Sequence, residues 1–244
     1  MHHIGILGHS AEGAAECFRA VCAAGLALSD DFLHPDVSLD CRAFGHAMAA
    51  WEAGDLTAVR AMLGAGIDRL AAAGADFFIC PDNTAHLALE LEGEALSLPG
   101  LHLPSLVADR AVARDHTRVG VLGTRFTMDS SLYERALGSR DIDSTTPGAD
   151  DRALVDRIIF GELVHGVVTE QAVDALRAVT SRLQARGCDA VALVCTELPM
   201  ALTDDTSPLP VLDSTALSAD GAFRAARCDS LPHWRGGDPR RVRV

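Results

Sequence analysis

Apolar runs of strand length alternate along the chain with stretches in which apolar residues recur every three or four positions. The strand patterns cover residues 3–8, 37–42, 76–80, 118–123 and 188–194, and the helical patterns cover residues 11–28, 56–73 and 171–186. A further helix is predicted to begin at Thr84. Such alternation indicates an α/β fold in which helices cover parallel sheets.

The second half of the chain repeats the order of the first. The run RVGVLG at 118–123 resembles HIGILG at 3–8, which places Gly8 and Gly123 at matching points, 115 positions apart. Gly74 and Gly187 each stand just before a predicted strand, in similar short segments 113 positions apart. Any two βαβ segments share some likeness, but two similar offsets predict a duplication into two pseudo-symmetric α/β lobes, each a parallel sheet flanked by helices.

The repeat also predicts where the lobes begin and end. We expect residues 1–105, completed by residues 212–225, to form an N-terminal lobe and residues 106–211 to form a C-terminal lobe. The Pro, Gly and Arg content of residues 226–244 predicts an extended tail. The active site is expected in the cleft between the lobes.

Composition narrows the classes of partner. The 244 residues carry a formal net charge of −13, which disfavours nucleic acid and anionic membranes as partners. No apolar run approaches the ~20 residues of a membrane span, and the strand pattern at the start of the sequence predicts that there is no signal peptide. Seven cysteines without framework spacing predict a reduced, cytoplasmic protein, and the absence of CxxC and HExxH patterns predicts no metal site.

Two reactive side chains stand at equivalent places in the repeat. Asp82 lies eight residues after Gly74, and Cys195 lies eight residues after Gly187. Ligands of α/β sheets bind outside the carboxyl ends of the strands, so we expect Asp82 and Cys195 to face each other as a catalytic pair. At a strand–helix junction, helix N–H groups would favour the thiolate of Cys195, although a buried structural cysteine is the alternative.

Polar residues that could hold a substrate carboxylate follow the same strands. We predict that hydroxyl, amide and backbone N–H groups at these strand ends bind an anion, whereas an ordinary helix N-cap is the alternative role for each. The predicted substrate-binding residues are Ser10, Arg42, Asn83, Thr84, Thr124, Thr127 and Thr196. Arg42, with His46 nearby, is expected to contact the distal end of the substrate, and His86 and His165 are either proton shuttles or structural histidines.

Three segments resemble a known family. Residues 82–86 (DNTAH) resemble the Cys-Asn-Thr-Ala-His segment of aspartate and glutamate racemases, and residues 195–198 (CTEL) resemble their second Cys-Thr-Glu-Leu segment. Residues 123–127 (GTRFT), followed by Tyr133, are similar to their mid-chain segment. The resemblance covers about residues 3–220. It implies two pseudo-symmetric α/β lobes, no pyridoxal phosphate or other cofactor, and a homodimer.

The chain departs from this pattern where Asp82 stands in place of the first catalytic cysteine. In the family, one thiolate removes the α-proton and the opposite thiol returns a proton to the other face. The resemblance therefore implies a racemase or epimerase of a small amino acid or related carboxylate, with Cys195 and Asp82 as the two bases. The alternatives are a one-thiol decarboxylase, lyase or cis–trans isomerase, as in the related arylmalonate decarboxylases and maleate isomerases, and a non-catalytic carboxylate-binding protein.

Overall fold

The structure, a computed structural model, describes residues 1–27, 33–43 and 45–237. These residues divide into two compact parts. We call Met1–Leu103, together with the described residues from Thr215 onward, the first lobe, and Pro104–Ser214 the second lobe. Residue 28, where the first predicted helix ends, and residues 238–244 of the predicted tail lie outside the described residues.

The first lobe is a parallel sheet flanked by helices. Its strands have the order β2-β1-β3-β4, and every neighbouring pair is parallel. In chain order the elements are β1 (Ile4–Gly8), α1 (Ala11–Leu26), β2 (Val37–Cys41), α2 (Gly45–Glu52), α3 (Leu56–Ala72), β3 (Phe77–Ile79), α4 (Ala85–Leu89) and β4 (Gly100–Leu101).

The second lobe repeats this arrangement with the strand order β6-β5-β7-β8, again all parallel. Its elements are α5 (Leu103–Ala113), β5 (Arg118–Gly123), α6 (Arg125–Met128), α7 (Leu132–Gly138), β6 (Asp143–Thr145), α8 (Ala149–Gly161), α9 (Glu170–Ala185), β7 (Ala190–Val194) and β8 (Val211–Asp213). Short 3-10 turns cover Leu163–His165 and Leu198–Met200, and α10 (Ser214–Arg227) leads back into the first lobe.

Strand register shows that the two lobes are duplicates. Ile4 pairs with Phe77 in the first lobe, and Val119 pairs with Ala190 in the second. Val119 lies 115 positions after Ile4, and Ala190 lies 113 positions after Phe77, which are the two offsets of the sequence repeat. The predicted α/β class with two lobes is therefore confirmed.

A helix approaches the central strand closely in each lobe, and a glycine makes this possible. A Cβ atom on Gly5 of β1 would lie 3.2 Å from the Cβ of Leu70 on α3. A Cβ atom on Gly120 of β5 would lie 2.9 Å from the Cδ1 of Leu183 on α9. Both leucines are buried. A glycine therefore permits close packing of a helix leucine on the central strand in both lobes.

Each of these helices ends in the same way before its strand. Gly74 has a φ of +88° and Gly187 a φ of +89°, a left-handed conformation that glycine adopts without steric cost. In the second lobe the Cys188 N–H then donates to the Leu183 carbonyl at 3.1 Å. The chain reverses within a few residues and enters β3 or β7 directly.

The cores are built mainly from aliphatic side chains, as the low aromatic content predicts. In the first lobe Leu63, Ile67 and Leu70 of α3 pack under the sheet, and in the second lobe Leu176 and Leu183 of α9 do so. Across the described ranges, the helices are too short or too polar to traverse a bilayer.

The described part of the predicted tail returns to the first lobe. We call residues 234–237 the strap. Trp234 forms an antiparallel bridge with Gly100 of β4, and the Gly237 N–H donates to the Leu89 carbonyl at 2.8 Å. Gly236 has a φ of +77°, and a Cβ atom there would lie 2.9 Å from the Leu89 carbonyl oxygen, so the strap fits closely against the lobe. The Trp234 ring is buried.

A carboxylate stabilises the start of the central strand in the second lobe. Asp189 accepts hydrogen bonds from the Thr117 N–H and hydroxyl, both at 2.7 Å, and from the Arg118 N–H at 3.3 Å. Although burial opposes its ionisation, these hydrogen bonds lower the pKa of Asp189. A lowered pKa in the folded state means that this contribution to stability is present above the unfolded pKa and is lost as pH falls through the folded value.

We expect Asp189→Asn to reduce the free energy of unfolding at pH 7 by about 1 kcal/mol, because the amide is a weaker acceptor and the site is partly exposed. The deficit should shrink as pH falls below ~4. Urea unfolding at pH 7 and at pH 3.5 measures both effects, with Asp205→Asn, an exposed loop aspartate, as the control. An equal deficit at the two pH values would contradict this role.

Candidate functional site

Asp82 lies just beyond the carboxyl end of β3. Pro81 precedes it and has no N–H to donate, so strand pairing cannot continue past this point. The Asp82 side chain is half-buried, and its Oδ1 accepts the Ala85 N–H at 3.1 Å. Asp82 therefore caps the first turn of α4, which fixes the direction of the carboxylate.

The backbone carbonyl of Asp82 is also held. His86 Nδ1 lies 2.9 Å from this oxygen, and the Cys80 thiol donates to it at 3.9 Å. The other ring nitrogen of His86, Nε2, accepts the Leu103 N–H at 3.3 Å. Since a backbone N–H can only donate, the Leu103 contact favours a neutral ring that donates its Nδ1–H to Asp82. The backbone of Leu101 also hydrogen-bonds to the ring, and this contact works the other way by raising the pKa of His86.

His86 is enclosed by aromatic and titratable neighbours. Trp234 stacks on it with ring centroids 5.6 Å apart and an interplanar angle of 14°, and His102 meets it edge-on at 5.4 Å. Burial, and secondarily the nearby His102, lower the pKa of His86 from 6.5 to about 3. His102 in turn lies 2.7 Å from Oε1 of Glu90, and both of those side chains are buried. His86 is therefore a neutral structural histidine rather than a proton shuttle.

Cys195 lies directly at the carboxyl end of β7. The predicted strand–helix junction is wrong here: the strand is followed by the three-residue 3-10 turn Leu198–Met200, so no long helix directs a row of N–H groups at the sulfur. Instead the Cys195 thiol donates to Oε2 of Glu197 at 2.9 Å, and both side chains are buried. A carboxylate acceptor at this distance favours the protonated thiol over the thiolate that we expected.

Sheet register brings further predicted residues together within each lobe. Gly123 pairs with Val194, so Thr124 and Cys195 leave neighbouring strands side by side. Thr124 and Thr127 are buried at the start of α6, whereas Thr196 is half-exposed in the turn after Cys195. The two threonines are joined through the backbone at the start of α6, where the Thr127 N–H donates to the Thr124 carbonyl at 3.0 Å.

The first lobe groups the remaining predicted residues at the ends of three strands. Asn83 is buried and Thr84 half-buried, and both precede α4 beside Asp82. Gly8 pairs with Cys41, so Ser10 at the N-cap of α1 and the exposed Arg42 follow neighbouring strands. The side chains of Ser10, Thr84 and Thr124 make no capping hydrogen bond to their own helices, contrary to the N-cap alternative.

A pocket in the first lobe contains Arg42 but not Asp82. His9, Arg42 and His46 line it beside the apolar side chains of Ala47 and Leu63. His9 Nε2 accepts the Trp51 Nε1–H at 2.8 Å, which places the proton of a neutral His9 ring on Nδ1. The pocket thus combines cationic and hydrogen-bonding groups with an apolar wall.

Several residues at the site were not predicted from the sequence. Glu197 was noticed only as part of a motif, and its place two residues after Cys195 is the signal that could have identified it as the thiol's partner. Glu90 and His102 gave no local signal because the fold joins them. Trp234 could have been suspected, since the chain contains only two tryptophans and this one precedes two glycines.

The family model of the Asp/Glu/hydantoin racemases matches residues 4–222, which is most of the chain. The chain belongs to this family. No group of three or more His, Cys, Asp or Glu side chains that could hold a metal ion occurs in the described ranges.

Individual members of the family show the same relationship. The broad specificity amino-acid racemase RacX of Bacillus subtilis (strain 168) is 26% identical over 157 residues, which are 63% of this chain and 66% of that protein. The matched stretch thus spans just under two thirds of this curated relative.

Solved structures extend the match to nearly the whole chain. A candidate Asp/Glu racemase from Yersinia pestis is 28% identical, with a TM-score of 0.83 over 93% of this chain and 99% of that one. An aspartate racemase homologue from Pyrococcus horikoshii OT3 is 22% identical, with a TM-score of 0.77 over the same shares of the two chains. The glutamate racemase of Francisella tularensis subsp. tularensis SCHU S4, at 12% identity and a TM-score of 0.63, covers 96% of this chain and 86% of that one, and shares the fold.

We expect Glu197→Gln to make Cys195 react severalfold faster with iodoacetamide at pH 7.5, because the substitution removes a negative charge that disfavours the thiolate. Peptide mass spectrometry measures the alkylation of Cys195, and the buried Cys188 in the same lobe is the internal control. Slower alkylation in the variant would mean that Glu197 activates the thiol instead of keeping it protonated.

Proposed function

We propose that this member of the family is a cofactor-independent racemase or epimerase of a small amino acid or related carboxylate, with Asp82 and Cys195 as its two acid–base groups. The observation that carries the proposal is the pair of equivalent positions these residues occupy, each at the carboxyl end of the third strand of a duplicated lobe. The proposed reaction requires both side chains to act on one substrate, from opposite faces of its α-carbon.

The contacts of the two groups suggest which one begins the reaction. The Cys195 thiol donates to Glu197, which favours sulfur as the proton donor at rest. In the proposed step the Asp82 carboxylate takes the α-proton, and the Cys195 thiol gives its proton to the opposite face of the resulting carbanion. The opposite enantiomer reacts by the reverse transfer, from carbon to the thiolate and from the Asp82 carboxyl to carbon.

The substrate carboxylate would be held by polar groups at the same strand ends. We assign this role to the side chains and N–H groups of Ser10, Asn83, Thr84, Thr124, Thr127 and Thr196. Hydrogen bonds from these groups would also stabilise the enolate-like charge that develops as the α-proton leaves. Arg42 and His46, which line one pocket, suit a polar or anionic distal group of the substrate.

The sequence itself supports independence from pyridoxal phosphate. The sequence contains 21 arginines and no lysine, the residue that forms a Schiff base with that cofactor. From the family resemblance we also propose a homodimer, and from the seven free cysteines a reducing, cytoplasmic setting.

One observation favours a second candidate function. Cys195 and Glu197 form a thiol–carboxylate pair within a single lobe, while Asp82 already serves as a helix cap. Such a pair could protonate a carbanion without a second base, as a decarboxylase or lyase needs. The two candidates differ in their products, because racemisation conserves mass and decarboxylation releases carbon dioxide.

Cys195→Ser should lower substrate turnover by at least ~100-fold while the fold stays intact, since a hydroxyl is a far weaker acid than a thiol. Deuterium uptake from solvent at the α-carbon, followed by mass spectrometry over a panel of small amino and carboxylic acids, measures this. Cys188→Ser, a buried cysteine of the same lobe, is the matched control. Near-normal turnover in Cys195→Ser would end the assignment.

The two faces of the site should differ, because a carboxyl group and a thiol differ greatly in intrinsic acidity. We expect α-hydrogen exchange to begin faster from one enantiomer than from the other, with the overall equilibrium still at unity. Asp82→Asn keeps the oxygen that caps α4 but loses the base, so exchange from the faster enantiomer should collapse without loss of stability. Asp82→Cys should bring the two initial rates closer together.

The measurement is the initial exchange rate of both enantiomers in the wild type and in both variants. Unchanged exchange from the faster enantiomer in Asp82→Asn would show that Asp82 is not the base on that face. The one-thiol reaction would then become the leading explanation.

A further inference from the structure

The strap contacts the residue that holds Asp82. The buried ring of Trp234 in the strap lies against His86 and His102, and its centroid is 5.6 Å and 4.8 Å from theirs. The strap itself is anchored by the Leu96 N–H, which donates to the Arg235 carbonyl at 2.9 Å. An indole face is therefore fixed over the imidazole whose Nδ1–H reaches the Asp82 carbonyl.

We propose that Trp234 is a positioning residue for Asp82: by covering His86, it keeps that ring neutral and its Nδ1–H on the Asp82 carbonyl. The proposal rests on the proposed function, in which the Asp82 carboxylate is a base. Trp234 itself touches no reacting atom. Its effect passes through one stacked ring and one hydrogen bond of 2.9 Å to the segment that carries the carboxylate.

The geometry explains why the neutral form matters. Nε2 of His86 receives the Leu103 N–H, so a proton on Nε2 would place two donors against each other and break this contact. The ring would lose the Leu103 contact and keep only its backbone hydrogen bonds to Asp82 and Leu101, both of which favour the protonated form. A protonated His86 would also put a positive charge four residues from Asp82, which would make the carboxylate a weaker base.

The strap forms part of the enclosure of His86, since the Trp234 ring stacks on the imidazole. The ring is fully buried, and burial is the main reason that its pKa lies at about 3. Removing the indole would expose the ring and move its pKa toward the ordinary value of ~6.5. His86 would then become protonated within the pH range in which exchange can be measured.

Other titratable groups around His86 must be considered in any pH experiment. They come from the end of β3, the two ends of α4 and the segment after β4. Two exposed side chains are added by the strap and by the residue that precedes it. These groups are Cys80, the Asp82 carboxyl, Glu90, His102, His233 and Arg235. His102 is the one that acts electrostatically on His86, and it opposes protonation.

The first experiment observes His86 directly. Ring ¹⁵N chemical shifts, with the resonance assigned by its loss in His86→Gln, report both the tautomer and the titration of the wild-type imidazole. We expect the Nδ1–H tautomer and no titration above pH 4. A wild-type His86 that titrates near pH 6, or that carries its proton on Nε2, would overturn the proposal without any variant of the strap.

The second experiment links the ring to activity. In Trp234→Ala, the rate of α-hydrogen exchange should fall severalfold as pH drops through ~6, an acid limb that the wild type lacks. Trp234→Phe keeps an aromatic face and should retain the wild-type profile. His86→Gln in the Trp234→Ala background removes the titrating ring and should abolish the new limb. A Trp234→Ala profile parallel to the wild type would contradict the positioning role.

A third variant covers the case in which Trp234→Ala does not fold. Gly236→Ala places a Cβ atom against the Leu89 carbonyl at a φ of +77°, so it loosens the strap without altering a side chain near His86. It should produce the same acid limb in weaker form and raise the His86 titration. No change in either measurement would count against the proposal.

The outcomes separate this inference from the proposed function. If Asp82→Asn leaves exchange unchanged, the assignment of Asp82 as a base fails, yet the ¹⁵N titrations of His86 still decide whether Trp234 controls the ring. If His86 responds to Trp234→Ala but the exchange profile does not, the ring contact stands and its link to Asp82 is wrong.

Discussion

In each lobe, a helix rests directly on the central strand at a glycine. Leu70 meets Gly5 and Leu183 meets Gly120 at distances at which a Cβ atom on either glycine would force a neighbour to shift. This close packing helps to hold each helix on the sheet, and the chain turns at the end of that helix to enter the next strand. Glycines in the left-handed conformation make that turn, and Asp82 and Cys195 lie just beyond the ends of the strands that follow. The reactive side chains thus depend on packing some distance away from them.

The duplicated framework holds two different chemical groups in two different ways. Asp82 is fixed by its own helix cap and by His86, which donates to its carbonyl. Cys195 instead has a carboxylate partner, Glu197, that belongs to the turn after its strand. A carboxylate held as an acceptor and a thiol held as a donor make an asymmetric pair. This asymmetry, rather than the fold of the family, is what distinguishes the chemistry proposed for this chain.

Much of the framework could be predicted from the sequence because short-range patterns of apolar residues and glycines indicate its strands, helices and turns. The strands around Gly8 and Gly123 are apolar runs, the helix over 56–72 has a clear period, and the two glycine turns recur at nearly constant spacing. The short strands β4, β6 and β8 were missed because two or three residues cannot display a period. Helix α10 was missed as well, and it ends at Arg227, inside the predicted tail.

The site was less predictable than the framework, since its decisive contacts depend on how side chains are directed, and some of them join residues distant in sequence. The positions of Asp82 and Cys195 follow from the repeat, but the thiol's carboxylate partner and the covering of His86 by Trp234 do not. The expected helix after Cys195 was wrong because Pro199 and the adjoining residues form only a 3-10 turn. Motif resemblance names residues, whereas their protonation depends on neighbours that only the folded chain supplies.

The most direct test of the two-group account is an overshoot experiment in deuterated water. One enantiomer of an amino acid that the protein exchanges is followed by circular dichroism until equilibrium. If Asp82 takes the α-proton and Cys195 delivers a solvent-derived deuteron to the other face, the product is deuterated while the remaining substrate is not. The primary isotope effect on the return reaction should then carry the signal past zero before it decays. A monotonic approach to zero with deuterium washed into the starting enantiomer, or a loss of mass as carbon dioxide, would contradict the account.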